Sequence, residues 1–147
     1  MSAALGVVFL AGRILFATFF VAVSGVGHIK RSSMMSGYAK TTGFPLPSLA
    51  GTPAGLWLMA GGVSVAAGLW GDLGALMLGL FVVLAAIGFH RFWSIEDPAQ
   101  RSTQRQAFWR NVALLGASLT LFAVFSAFGA GLPLTVTKPL FHLAGTR

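Results

Sequence analysis

The sequence predicts an all-α integral membrane protein, a four-helix bundle with both termini on the same, extracytoplasmic side. Three observations carry this reading. Four long apolar stretches, Ala4–Val26, Thr52–Trp70, Leu73–Phe89 and Val112–Leu132, approach the roughly 20 residues that a helix needs to cross a hydrocarbon core of about 30 Å. The chain is 56% hydrophobic and only 9% charged, whereas a soluble domain charges about a quarter of its residues. Most of the charge sits in the segments between the stretches. In 147 residues this leaves no room for a separate soluble domain, so residues 1–147 form one unit. Strands are excluded within the stretches, because open sheet edges are not tolerated in lipid.

The helices are expected at about residues 4–27, 52–70, 72–93 and 98–132. The first has no Lys or Arg before it and Lys30–Arg31 after it, so it reads as a retained helix rather than a cleaved signal. A polar loop follows, Gly27–Gly51, whose Pro45 and Pro47 push their neighbours out of helical geometry. Thr52–Pro53 reads as a cap residue followed by a first-turn proline. Trp70-Gly71-Asp72 makes a tight hairpin, with Asp72 placed to cap the third helix. Asp97-Pro98-Ala99-Gln100 has the signature of a helix start. Pro133 and Lys138-Pro139 end the last helix and leave a short tail. Ala60, Ser64 and Gly68, and then Ala113, Gly116 and Ala117, offer small-residue stripes for close helix packing.

The loops after the first and third helices hold seven basic residues, Lys30, Arg31, Lys40, Arg91, Arg101, Arg105 and Arg110. The other side holds two, Lys138 and Arg147. Positive charge stays inside, which puts loops 27–51 and 94–110 in the cytoplasm. Trp93 and Trp109 fit interfacial anchors at that edge, with Trp57 and Trp70 near the ends of the second helix. The formal charge of +7 therefore serves orientation and anionic headgroups, and no nucleic-acid motif accompanies it. With no cysteine, disulfides, thiolate metal sites and thiol redox chemistry are excluded.

Two polar groupings could carry chemistry. Arg13 lies inside the first helix, where a charge must snorkel, pair or face a cavity; Asp72 is its candidate structural ion-pair partner. At the opposite end His28, His90-Arg91-Phe92-Trp93 and Trp109-Arg110-Asn111 reach one level of the membrane. Two imidazoles and an amide could hold a quinone headgroup or a lipid phosphate, since imidazole exchanges protons near neutral pH. The plainer reading is an aromatic and basic belt. No metal site is expected, because the three acids, Asp72, Glu96 and Asp97, do not accompany the histidines. Haem between His28 and His90 is the weakest of the cofactor readings. No catalytic motif is present.

These pieces resemble the DoxX family of small four-helix bacterial membrane proteins. The matches are Gly12-Arg13-Ile14-Leu15-Phe16, Phe20 and Ser24-Gly25-Val26-Gly27-His28, then Tyr38-Ala39 and Gly43-Phe44-Pro45-Leu46-Pro47. Gly61-Gly62, Gly68-Leu69, Phe89-His90-Arg91-Phe92-Trp93 and Asn111-Val112-Ala113-Leu114-Leu115-Gly116 complete them, over about residues 9–125. The resemblance implies the bacterial inner membrane and association with quinol oxidase or thiosulfate:quinone chemistry. It also implies functional positions at Arg13, His28, His90, Trp93 and Asn111. Similar proteins often carry a glutamate shortly before the paired glycines, where this chain has Trp57-Leu58-Met59. The leading expectation is a non-catalytic accessory subunit of a larger envelope complex, with other integral membrane proteins and lipids as partners. A quinone-linked redox protein and a lipid-binding or transport bundle are the alternatives.

Overall fold

The computed structural model describes residues 2–141. Helix α1 runs Ala3–Lys30 and is capped by Ser2, whose hydroxyl accepts the Leu5 N–H. It is followed by α2 (Ser32–Thr41), α3 (Thr52–Ala67), α4 (Gly71–Phe89) and α5 (Pro98–Phe128). Short 3₁₀ turns lie at Pro47–Ala50, Phe92–Ser94 and Gly129–Gly131. The four predicted helices are α1, α3, α4 and α5. Packing runs in sequence order, α3 lying between α1 and α4, and α4 between α3 and α5. Phe20, Leu58, Val65, Ala75, Leu78, Val82 and Phe125 form the core.

Three helices are long and apolar enough to cross a membrane, α1, α4 with its following turn, and α5. The α3 helix is not, because it ends at Ala67 rather than near Trp70. Gly68 takes a left-handed conformation (φ +66°) and stops it. Its 16 residues rise about 24 Å, short of a hydrocarbon core. The polar loop also differs from expectation, since it contains the α2 helix. Ser32 at its start, not Thr52, satisfies the first turn of α3: its hydroxyl accepts the Thr52 N–H at 2.9 Å. At α5 the expected cap is present, with Asp97 accepting the Gln100 N–H at 2.7 Å.

Helix packing uses part of the expected stripes, Ser64 against Gly74 and the buried Gly68, together with further glycines. Ala60 is exposed, as are Ala113 and Gly116. The adjacent Gly61 and Gly62 instead face two different neighbours. A Cβ on Gly61 would meet Leu78 and the Gly74 carbonyl of α4, and one on Gly62 would meet Val21 of α1. Gly25 and Gly55 bring α1 and α3 together backbone to backbone, each lying against the other's carbonyl oxygen.

The segment after α5 is not a free tail. From Leu132 to Phe141 it folds as an extended strap across the α3–α4 turn, with burial roughly alternating along it. Val136 N–H donates to the Ala67 carbonyl and Thr137 N–H to that of Gly68, both at 3.2 Å. Trp70 N–H donates to the Thr137 hydroxyl at 2.7 Å. The strap thereby supplies the partners that the end of α3 and the start of α4 lack. Asp72 does not cap its own helix; its carboxylate accepts the Phe141 N–H at 2.6 Å.

Two outcomes follow from these contacts. Gly55→Val forces a Cβ against Ile29 and the Gly25 carbonyl and should cost about 1–3 kcal/mol, read as a lower melting temperature in detergent. Gly12→Ala, in open space, should leave that temperature unchanged or raise it. Asp72→Ala removes the acceptor of the Phe141 amide and should cost about 1–3 kcal/mol. Amide exchange across residues 132–141 should then accelerate by roughly tenfold or more.

Candidate functional site

Arg13 is fully buried. It neither snorkels nor forms a direct ion pair with Asp72 among the described residues. Its Nη2 donates to the Leu134 carbonyl of the strap at 2.6 Å. The guanidinium lies 5.1 Å from the Phe9 ring centroid and 5.8 Å from that of Phe125, so two aromatic faces receive part of its charge. Nε and Nη1 of Arg13 and Oδ1 of Asp72 have no partner among the described residues. Arg13 and Asp72 thus share an end of the bundle, as expected, but each is tied to the strap.

The other expected grouping is brought together. A cavity of about 520 Å³ opens among α1, α2, α3, α4 and the middle of α5. His28, Tyr38, His90 and Asn111 all line it, with Arg110 beside them. Arg91 and Trp93 do not. Arg91 points to α2, donating from Nη2 to the Thr42 carbonyl at 2.7 Å. Trp93 is exposed and packs edge-on against Phe92 and Phe108.

Local structure sets each polar group. The Phe19–Gly25 stretch of α1 is π-helical, a form that recurs at functional sites. Phe20, Ser24 and His28 are spaced by four and all line the cavity. In a regular helix two such steps drift by about 80°, and the wider π turn reduces that drift. The Gly25–Gly55 contact lies within this stretch, so the distorted turn is also where α1 and α3 approach most closely.

Both histidines are held by Nδ1. His28 Nδ1 donates to the Ala50 carbonyl at 2.6 Å, and its ring meets Phe81 edge-on. His90 Nδ1 donates to the Gln104 amide oxygen at 2.7 Å. Each acceptor is an oxygen without a proton, so Nδ1 carries the hydrogen and Nε2 is the remaining nitrogen. Asn111 donates one amide hydrogen to the Ala107 carbonyl at 2.9 Å. Its Oδ1 and second N–H stay available. Tyr38 ties α2 to the end of α4, its hydroxyl donating to the Phe89 carbonyl at 3.2 Å. With Arg91 on Thr42, this fastens α2 across the cavity's polar end.

The rest of the lining is apolar and rich in aromatic rings, including Phe19, Phe44, Trp57, Phe81 and Phe89. The Gln104 contact and this aromatic wall were not anticipated. Trp57, near the start of α3, is part of the wall, its indole N–H donating to the Met77 carbonyl at 2.8 Å. The signal that could have found the wall is the i, i+4 series Phe20, Ser24, His28. The arrangement can hold a flat, partly polar group between two imidazoles and an amide, with apolar surface around the remainder.

The DoxX family profile matches residues 8–91, more than half of the chain. Comparison with curated proteins and with solved structures gave no significant match. The matched stretch includes Arg13, His28, Tyr38, His90 and Arg91 and stops before Trp93 and Asn111. Together with the long apolar helices, it establishes that this chain is an integral membrane protein belonging to the DoxX family.

Proposed function

We propose that this protein binds a quinone headgroup in the His28–His90 cavity and serves as a non-catalytic, quinone-holding subunit of a membrane complex. The observation that carries this is the convergence of His28, His90 and Asn111 on one cavity of about 520 Å³ with aromatic walls. A quinone offers two carbonyl oxygens that accept hydrogen bonds and a flat ring that packs between aromatic faces. When bound, it supplies two-electron, two-proton redox chemistry; the chain itself holds the ring and exchanges hydrogen bonds with it. A neutral imidazole presents a lone pair at Nε2, which accepts from a hydroxyl. A protonated one presents Nε2–H, which donates to a carbonyl. His28 and His90 therefore suit either oxidation state. Electrons come from a partner, because the chain has no cysteine and no intramembrane carboxylate near this end. The basic residues at this end support a cytoplasmic placement of the cavity mouth.

A second reading, docking on a larger envelope complex, is compatible with the first. Ala113, Gly116, Thr120, Ala123 and Ala127 form an exposed face of α5, and Gly116 has no neighbour within 4 Å of a built Cβ. Small residues facing lipid leave room for another helix.

Protein in lipid nanodiscs should be stabilised by added ubiquinone or menaquinone analogues. His90→Ala and Asn111→Leu should each weaken that binding by roughly 5- to 30-fold, the loss of one buried hydrogen bond of about 1–2 kcal/mol. A protein whose melting temperature ignores every quinone would sink the reading. For docking, isolation at native expression in mild detergent should recover other membrane proteins. Gly116→Leu should release them without changing the isolated protein's melting temperature; recovery of the chain alone would count against it.

A further inference from the structure

We infer that the cavity has a side opening into the lipid between α3 and α4, so that its ligand keeps an apolar tail in the bilayer while its headgroup sits at His28 and His90. This rests on the headgroup reading above and adds how the ligand is reached and what class of ligand is taken. Seven cavity-lining residues are exposed: Tyr38, Leu49, Pro53 and Arg110 at the mouth end, and, away from it, Trp57 (41%), Leu80 (52%) and Leu84 (47%). The last three belong to two neighbouring helices. Exposure on both helices at this depth, away from the mouth, points to a gap in the wall between them.

The cause lies in the α3–α4 hairpin. Near its turn the helices meet backbone to backbone, Gly61 against Gly74, with Ser64 wedged beside Gly74. Toward the other end α3 lines the cavity with the small Pro53 and Ala54 and with Trp57. Trp57 bridges the gap by its indole bond to Met77 and forms the rim on the turn side. Leu80 and Leu84 form the rim on α4.

Depth selects the ligand. Leu80 and Leu84 lie about 14 and 20 Å along α4 from Gly71, near the middle of a core of about 30 Å. Only acyl chains occupy that depth, so the opening admits no water-soluble molecule. The polar groups His90, Tyr38 and Asn111 belong to the cavity's other end. The space therefore runs from a hydrogen-bonding mouth to an apolar side window, the shape of an amphiphile with a compact head and a single long chain.

The test compares a tail-less benzoquinone with a long-chain prenyl quinone on the protein in nanodiscs, read by thermal shift. Leu80→Trp and Leu84→Trp narrow the window at outward positions. Each should weaken the long-chain quinone by about tenfold or more and leave the tail-less one within about twofold. Equal effects on both quinones, or none, would overturn the window. A second measurement needs no variant: a prenyl quinone with a photoreactive group on its first isoprene unit should label Trp57, Leu80 or Leu84. Labelling confined to Met35 and Leu49 would overturn the inference while leaving the headgroup reading intact. Failure of the wild-type protein to bind either quinone would overturn both.

Discussion

The Arg13–Leu134 hydrogen bond is the constraint on which one whole end of the molecule depends. A guanidinium removed from water inside a bundle is costly unless its donors and its charge are met. Leu134 meets one donor, and Phe9 and Phe125 face the charge. To place that carbonyl, the chain after α5 must return across the α3–α4 turn. Once there, its own amides satisfy Ala67 and Gly68, and Thr137 satisfies Trp70. The strap is thus what allows α3 to be short. A helix of about 24 Å would otherwise leave its last carbonyls unpaired near the hydrocarbon edge. Gly68 completes the arrangement, since a Cβ there would meet Arg13 Nη1 at 2.8 Å and the Thr135 side chain.

The two ends are built in opposite ways. At the Arg13 end glycines remove space: Gly71 lies against the Phe125 ring and Gly74 against Ser64. At the His28 end rings stand around a space. The separation is large, with fifteen helical residues, roughly 22 Å, between Arg13 and His28. Rigidity at one end helps to hold the other open, because α3 and α4 are pinned at their turn while the far end of α3 faces the gap with Pro53, Ala54 and Trp57. The α2 helix then closes the mouth through Tyr38 and Arg91, whose bonds run to Phe89 and Thr42.

Much of this was legible in the residues, for definite reasons. Apolar run length gives the four helices, and Asp97–Pro98 gives the start of α5, because both are local effects. The convergence of His28, His90 and Asn111 follows from antiparallel helices of similar length, so it too could be reasoned out. Non-local satisfaction was not legible. Arg13 could be seen to need a partner, but Asp72 was the visible acid and a backbone carbonyl 121 residues away carries no signature in composition. The strap was read as a tail because its alternation is short and interrupted by Pro133 and Pro139. The stripe of Ala60, Ser64 and Gly68 is half right for a related reason: Ser64 and Gly68 make close contacts, while Ala60 is exposed and the adjacent Gly61–Gly62 pair takes its place. Arg147, one of the two basic residues expected on the other side, lies outside the described residues.

The residues at 57–59 bear on what the cavity can do. Here Trp57 lines the cavity, Leu58 is in the core and Met59 packs on Gly25. A carboxylate at Trp57 would sit near mid-bilayer depth on the cavity wall, where its charge would demand a cation or a proton. With an indole there, the deep part of the cavity is apolar and its donor is spent on Met77. The ring nitrogens left for hydrogen bonding are then at the mouth, the Nε2 atoms of His28 and His90. A deep wall without ionisable groups suits a hydrocarbon chain and gives no path for protons toward the Arg13 end. Such a division, polar groups at one membrane face and an apolar wall beneath them, is what the proposed headgroup site requires.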